Sequence, residues 1–464
     1  MTNAVRDEQP LPAVPDPQKL PFPPGVEDGL LTRWQRIRAL RRDMFRYVVE
    51  TPSQYGDLYY WQLGSLRTYM AFHPDHIREL LVTQAPIFRR SRVTSQLLVP
   101  LVGNGLVVSE GEYWRKQRRL IQPAFHRERI TGYTQQMVAH TEAMLERWQD
   151  GQTFDVAEEM MTLTLGIATA TLFGGAVSDM TGAIGPTIKT AQEAMIEISK
   201  LVVPMPYWMP IPANRRLRRS VQKLDGFLLP LIEARRQTNT DTGDLLSMLL
   251  LTREEDGSGA MSDKEVRDEA MTMFIAGHET SSNALTWTLY LLSQHPEIEE
   301  KLLDEVQRVL QGQVPTVEQV GQLVYTEMVI KEALRLYPPT WINSREALEE
   351  SALGGYRIAK GSIVVFSPYV VHHDSRWHPD PERFEPERFT PEREKAIPRG
   401  AYLPFGMGPH TCIGNVFAMM EMKIALALIV QRFHLSHVAD HPVEVDALIT
   451  LRPKHGMRMR VAER

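Results

Sequence analysis

Residues 404–414 read PFGMGPHTCIG and hold the one cysteine of the chain, Cys412, among Gly406, Gly408 and Gly414. A cysteine does chemistry as a thiolate, either nucleophile or metal ligand. Glycines are costly to order and bury no side chain, so a segment rich in them lets the backbone pass close to something large. The stretch therefore presents a lone thiol to a bulky neighbour. A second group lies at Phe274–Trp287, FIAGHETSSNALTW, where Glu279, Thr280, Ser281, Ser282 and Asn283 interrupt apolar sequence. Five consecutive polar residues cover every face of a helix, so some point inward, and inward polar groups need partners or a task. Gly277 removes a side chain beside them, and a functional kink is expected there. Trp114 and Arg118 in WRKQRR are spaced to share one helix face, as are Glu332 and Arg335 in EALR. His372, His373 and Asp374 have no spacing that closes a metal shell and are expected in a loop region, at the surface or beside the large neighbour of the cysteine loop.

The elements that hold these groups are mostly helices. Ser262-Asp-Lys-Glu265 is a capping box and Pro296 ends what it starts, which predicts a helix of about 32 residues and about 48 Å with Glu279 in its middle. Helical patterning dominates residues 108–340, apart from a Pro-rich break at 204–212. Residues 55–73 and 353–371 carry β-branched and aromatic runs broken by glycine, which predicts small sheets. A helix follows Cys412, and residues 439–462 return to strands. Residues 9–25 hold seven prolines, so residues 1–30 are expected to be a lead-in without a core of its own. The fold class is mainly α (mixed α+β), with residues 31–464 as one domain.

Totals narrow the function. A net charge of −5 argues against a general nucleic-acid binder. One cysteine makes no internal disulfide, fitting a reducing compartment, and excludes zinc sites that need two thiolates. The N-terminus shows no signal-peptide h-region. Residues 160–178 form an apolar window with four threonines and three glycines, expected to be a buried core helix rather than a membrane span. A cytoplasmic monomer without a membrane anchor is expected.

Together the motifs resemble those of the haem-thiolate monooxygenases, the cytochromes P450. Phe405, Gly408, His410, Cys412 and Gly414 fill the ligand signature. Ala276, Gly277, Glu279 and Thr280 fill the Ala/Gly-Gly-x-Asp/Glu-Thr helix pattern. Glu332 and Arg335 match Glu-x-x-Arg, FEPERF (384–389) matches the segment carrying Arg388, and Trp114 with Arg118 supply the Trp-x-x-x-Arg pair. The resemblance implies a helical bundle around haem b with small peripheral sheets. It makes Cys412 the axial ligand, a thiolate that favours O–O cleavage. Trp114, Arg118, Arg345 and His410 become partners of the haem propionates. Glu279 and Thr280 become the groups that deliver protons to bound O2. Glu332, Arg335 and Arg388 become a structural network.

By the same resemblance Leu98, Leu101, Met205, Trp208, Phe274, Trp341 and Thr450 line a substrate pocket. It is largely apolar, which suits a fatty acid, terpenoid or steroid. The cluster Arg89, Arg90 and Arg92 is either a carboxylate guide or a solvated charge run. Since the resemblance occupies the chain, electrons are expected from a separate ferredoxin or flavodoxin with its NAD(P)H reductase. Arg115, Lys116 and Arg119 form a positive patch suited to an acidic donor. A peroxide-driven peroxygenase, a haem sensor without turnover and a haem-free helical protein are the alternatives. The Glu279–Thr280 pair argues against the first, and the lack of spare sequence for an output domain argues against the second.

Overall fold

The structure, a computed structural model, describes residues 16–25, 29–63, 66–174, 181–199, 206–238, 240–252 and 260–464. The chain divides into two compact units. One comprises residues up to 92 with 342–379 and 397–412; the other comprises 93–341, 380–396 and 413–464.

The first unit is built on a five-stranded sheet in the order Leu58–Leu63, Leu66–Ala71, Ile363–Phe366, Asn343–Ala347, Phe88–Arg90. The pairings are antiparallel except Leu66–Ala71 with Ile363–Phe366, where Thr68 is opposite Ile363 in parallel register. Alternating apolar residues of these strands, Leu58, Tyr69, Val364 and Phe366, bury one face against Ile77 and Leu80. The strand chemistry expected at 55–73 and 353–371 is thus present. The described part of the lead-in gains a role the proline count did not foretell. Pro24 O accepts the Tyr60 N–H and Pro21 O the Arg357 N–H, and Phe22 sits beneath the guanidinia of Arg67 and Arg357 at 4.5 and 5.2 Å. An extended, donor-poor segment is well suited to lie along a sheet in this way.

The second unit is helical around one long element, Asp263–Gln294, of 32 residues. Its start is the expected capping box: Ser262 Oγ accepts the Glu265 N–H, and the Glu265 carboxylate accepts the Ser262 N–H at 2.8 Å. The helix is continuous through Gly277, so the expected kink takes no form of a break. Two hydroxyls of its polar run return to the preceding turn, Thr280 Oγ1 donating to Ala276 O and Ser282 Oγ to Glu279 O, and Thr286 Oγ1 further along does the same to Ser282 O. The apolar window expected to be a core helix is Val156–Phe173, two-thirds buried although long and apolar enough to cross a membrane. Thr164 Oγ1 from this helix donates to His278 O at 2.8 Å. The helix after the cysteine is Asn415–Arg432, fully buried from Glu421 to Val430. Two small sheets complete the unit, one of C-terminal strands alone and one that joins Thr153–Asp155 to the strands Arg458–Glu463 and Phe433–His437.

Within that helix Glu421 is 1% exposed, and neither carboxylate oxygen has a hydrogen-bond partner. Burial pushes it up to about 8, although the nearby Ser281 hydroxyl favours the anion. Burial likewise pushes Glu269 up to about 8, against the Leu106 N–H that it accepts. An ordinary glutamate ionises near 4.5. The folded chain therefore keeps protons that the unfolded chain has lost, and stability falls as pH rises from about 4.5 to about 8. Glu421→Gln should remove its share. Its urea midpoint is expected to exceed wild type at pH 8, by a few kcal/mol at most given about 1.4 kcal/mol per pK unit, and the gain should vanish towards pH 4.5. A gain independent of pH would contradict this.

Candidate active site

Cys412 lies in the first unit and is exposed. Its N–H donates to Phe405 O at 2.9 Å, closing the residues between into a loop. Gly406 and Gly408 both adopt φ +72°, which favours glycine. At Gly408 a Cβ would stand 2.0 Å from Leu81 O, so the backbone is pressed against a neighbouring carbonyl there; at Gly406 the nearest atom is His410 O at 3.9 Å. The glycines thus serve two ends, one close approach and one open side. His410 Nδ1 is 3.2 Å from an Arg90 Nη, a partnership not foreseen from sequence.

The other arginines of that cluster are also engaged. Arg89 pairs with Glu346 at 3.1 Å, and the Arg92 N–H donates to the same carboxylate. Glu346 is buried and takes both, while the Arg89 and Arg92 side chains remain 44% and 50% exposed. Arg345 is 6% exposed; its Nη1 donates to Asn343 Oδ1 and Ser344 O.

In the second unit, Glu279 is 6% exposed. Its Oε1 accepts from Thr450 Oγ1 at 2.7 Å and its Oε2 from Gln192 Nε2, while Asn283 Nδ2 donates to Thr450 Oγ1 at 3.2 Å. Gln192, on the helix Thr181–Ser199, was missed from sequence; its one signal was an amide on a face that also buries Ala191, Ala194 and Met195. Beside Glu279, Ala276 is exposed on an otherwise buried stretch and a Cβ on Gly277 would meet nothing within 4 Å. Burial holds His278 neutral, with Nδ1 facing Phe274 O at 2.8 Å. Trp114 is buried, and the Arg118 guanidinium lies 5.7 Å from its ring centroid.

Glu332, Arg335 and Arg388 come together as expected, at 0%, 0% and 3% exposure. Arg335 holds both oxygens of Glu332 at 2.8 and 2.9 Å, Arg388 Nε reaches Oε1 at 3.1 Å, and the Glu385 N–H reaches the same oxygen at 3.0 Å. The remaining guanidinium donors go to Arg383 O and Asp380 O. Two far segments of sequence are thereby fixed to one another.

Several expected pocket residues take other places. Trp341 is wholly buried and its Nε1 donates to Leu448 O, so its indole packs the interior rather than walling a pocket. Trp208 is 72% exposed and lines nothing enclosed. Thr450 is turned to Glu279. Leu101 and Phe274 lie in the apolar core with Leu98 packed at its edge. Met205 lies outside the described residues, whereas residues 206–212 of the break are described. His372 is buried, not at the surface, because its ring accepts a backbone N–H described below. Among the described residues no group of histidine, cysteine and carboxylate side chains is arranged to hold a metal ion.

A family model for cytochrome P450 matches residues 24–458. The chain belongs to the cytochrome P450 family. Cyclooctat-9-en-7-ol 5-monooxygenase of Streptomyces melanosporofaciens is 36% identical over 91% of this chain and 92% of its own length. Pentalenene oxygenase of Streptomyces avermitilis is 34% identical over 95% and 97%. Retinoic acid-bound cyanobacterial CYP120A1 superposes with a TM-score of 0.85 at 26% identity, over 96% of this P450 and all of that chain. The protein is a cytochrome P450 monooxygenase with the mainly helical P450 fold, in a family that works with haem, O2, a hydrophobic substrate and a redox partner.

The residues present fit a large flat apolar cofactor. An exposed thiol on a glycine loop, open beside Gly406, suits an axial ligand.

Proposed function

We propose that this P450 oxygenates a terpenoid with electrons from a separate acidic ferredoxin or flavodoxin. The observation that carries the substrate class is the kinship, at 34–36% identity over nearly the full chain, to enzymes named for pentalenene and cyclooctat-9-en-7-ol. The scarcity of free charge agrees with it: Arg89 and Arg92 are spent on Glu346, leaving little to recognise a fatty-acid carboxylate. For the donor, Arg115 and Arg119 are exposed on the helix Gly111–Ile121, although Arg115 also pairs with Glu112. Such a patch attracts an acidic partner in a salt-dependent way.

Haem b, when bound, supplies the activation of O2 and the transfer of one oxygen atom to the substrate. Cys412 would hold it as a thiolate, and Trp114, Arg118, Arg345 and His410 would meet its propionates. The chain's part in the reaction is protonic. Thr280 Oγ1, now bonded to Ala276 O, turns to present its hydroxyl proton. Glu279, taking a proton from solvent, resupplies it, and its carboxylate is held in place by Gln192 and Thr450. Thr280→Ala should leave NAD(P)H consumption running while product per NAD(P)H falls severalfold. Unchanged coupling would remove Thr280 from the relay. Substrate class is tested by titrating terpenes, fatty acids and steroids and recording the shift of the haem Soret band. Terpenes are expected to give the tightest shifts; a preference for fatty acids would overturn the class.

A further inference from the structure

We propose that His372 and His378 are positioning residues that clamp the backbone of Ala401–Leu403 and thereby set the loop that carries Cys412. His372 Nε2 accepts the Leu403 N–H at 2.9 Å, and His378 Nε2 faces Ala401 O at 2.9 Å. Both rings are buried, at 0% and 1% exposure. The polarities are opposite and fix the protons: His372 must be the neutral Nδ1–H tautomer to accept, and His378 must carry its proton on Nε2 to donate. Acceptor and donor serve main-chain groups two residues apart, the spacing at which an extended chain shows its polar groups to one side. Two imidazoles thus stand where a neighbouring strand would.

The clamp is itself anchored. His372 ends the short helix Pro368–His372, capped by Ser367. Between the two histidines Arg376 bridges Asp57 and Asp374, with bonds of 2.6–3.0 Å, and the Trp377 ring meets His73 edge-on at 5.1 Å. The clamped tripeptide stands directly before Pro404 and Phe405, whose carbonyl accepts the Cys412 N–H. Close approaches bracket it: a Cβ at Gly400 would lie 2.5 Å from Pro74 O, and one at Gly408 2.0 Å from Leu81 O.

The inference rests on Cys412 being the axial ligand, so its test separates the two. Haem-loaded wild type, His372→Phe, His372→Gln, His378→Phe and His378→Gln are reduced under carbon monoxide, and the thiolate-ligated share of the Soret signal is read per haem. Phenylalanine keeps the ring and removes the polar contact; glutamine places an amide oxygen or N–H where Nε2 stood. The ratio of thiolate-ligated haem to haem without that ligation should fall about fivefold for the phenylalanine variants, the scale of one net hydrogen bond, and recover with glutamine. Wild-type shares in the phenylalanine variants, or equal loss in both kinds, would overturn the clamp. Amide hydrogen exchange of wild type covers the case in which phenylalanine prevents folding: Leu403 N–H should be strongly protected, and exchange at the rate of a free amide would overturn the clamp. A wild type with no thiolate signal but a protected Leu403 amide would refute the ligand assignment alone.

Discussion

Glu332→Leu should yield little or no folded haem protein. The substitution preserves apolar volume but leaves the guanidinia of Arg335 and Arg388 facing each other in a site with 0–3% exposure. Three donors lose their shared acceptor: Arg335, Arg388 and the Glu385 N–H. Removing one partner of a buried ion pair costs about 3–5 kcal/mol, a large part of the roughly 5–15 kcal/mol by which a domain is stable. The carbonyls of Arg383 and Asp380 and the carboxylate of Glu385, which is itself bonded to Arg393, do not replace that acceptor. Glu332→Gln keeps an acceptor at Oε1 and should fall between. Urea denaturation decides it: a Glu332→Leu midpoint matching wild type would show that the network does not hold the segment 380–396.

The second large effect separates two glycines of equal backbone shape. Gly406 and Gly408 share φ +72°, so alanine at either meets the left-handed penalty of about 1–2 kcal/mol. At Gly406 the new methyl would meet no protein atom nearer than His410 O at 3.9 Å; at Gly408 it would stand 2.0 Å from Leu81 O and 3.0 Å from Leu81 C, and backbone does not yield cheaply. Gly406→Ala should lower the melting temperature by several degrees and keep the thiolate signal. Gly408→Ala should displace the loop and lose most of that signal. Equal behaviour of the two would contradict the close approach at Leu81.

These cases show where sequence was informative. The helix Asp263–Gln294 was set out to the residue at its start because a capping box is a local device. Glu332 with Arg335 was visible because i, i+3 residues share a face. Arg388, 56 residues beyond Glu332, joined them only through the family motif. Interactions between distant segments leave no periodic trace, and they account for what was missed or misplaced. Gln192 and Thr450 reach Glu279 from 87 and 171 positions away. Arg90 reaches His410 across 320. His372 looked like loop chemistry because its use depends on a backbone N–H 31 residues on. Trp341 follows two prolines and looked like a pocket wall, yet its indole N–H is answered inside the core by Leu448 O.

Every chemical assignment here depends on Cys412 as the thiolate ligand of haem. The carbon monoxide difference spectrum of the reduced protein, recorded for wild type and Cys412→His together, tests it most directly. A strongly red-shifted Soret band in wild type and its absence in Cys412→His is the predicted result. No haem in either protein, or the same spectrum from both, would contradict it.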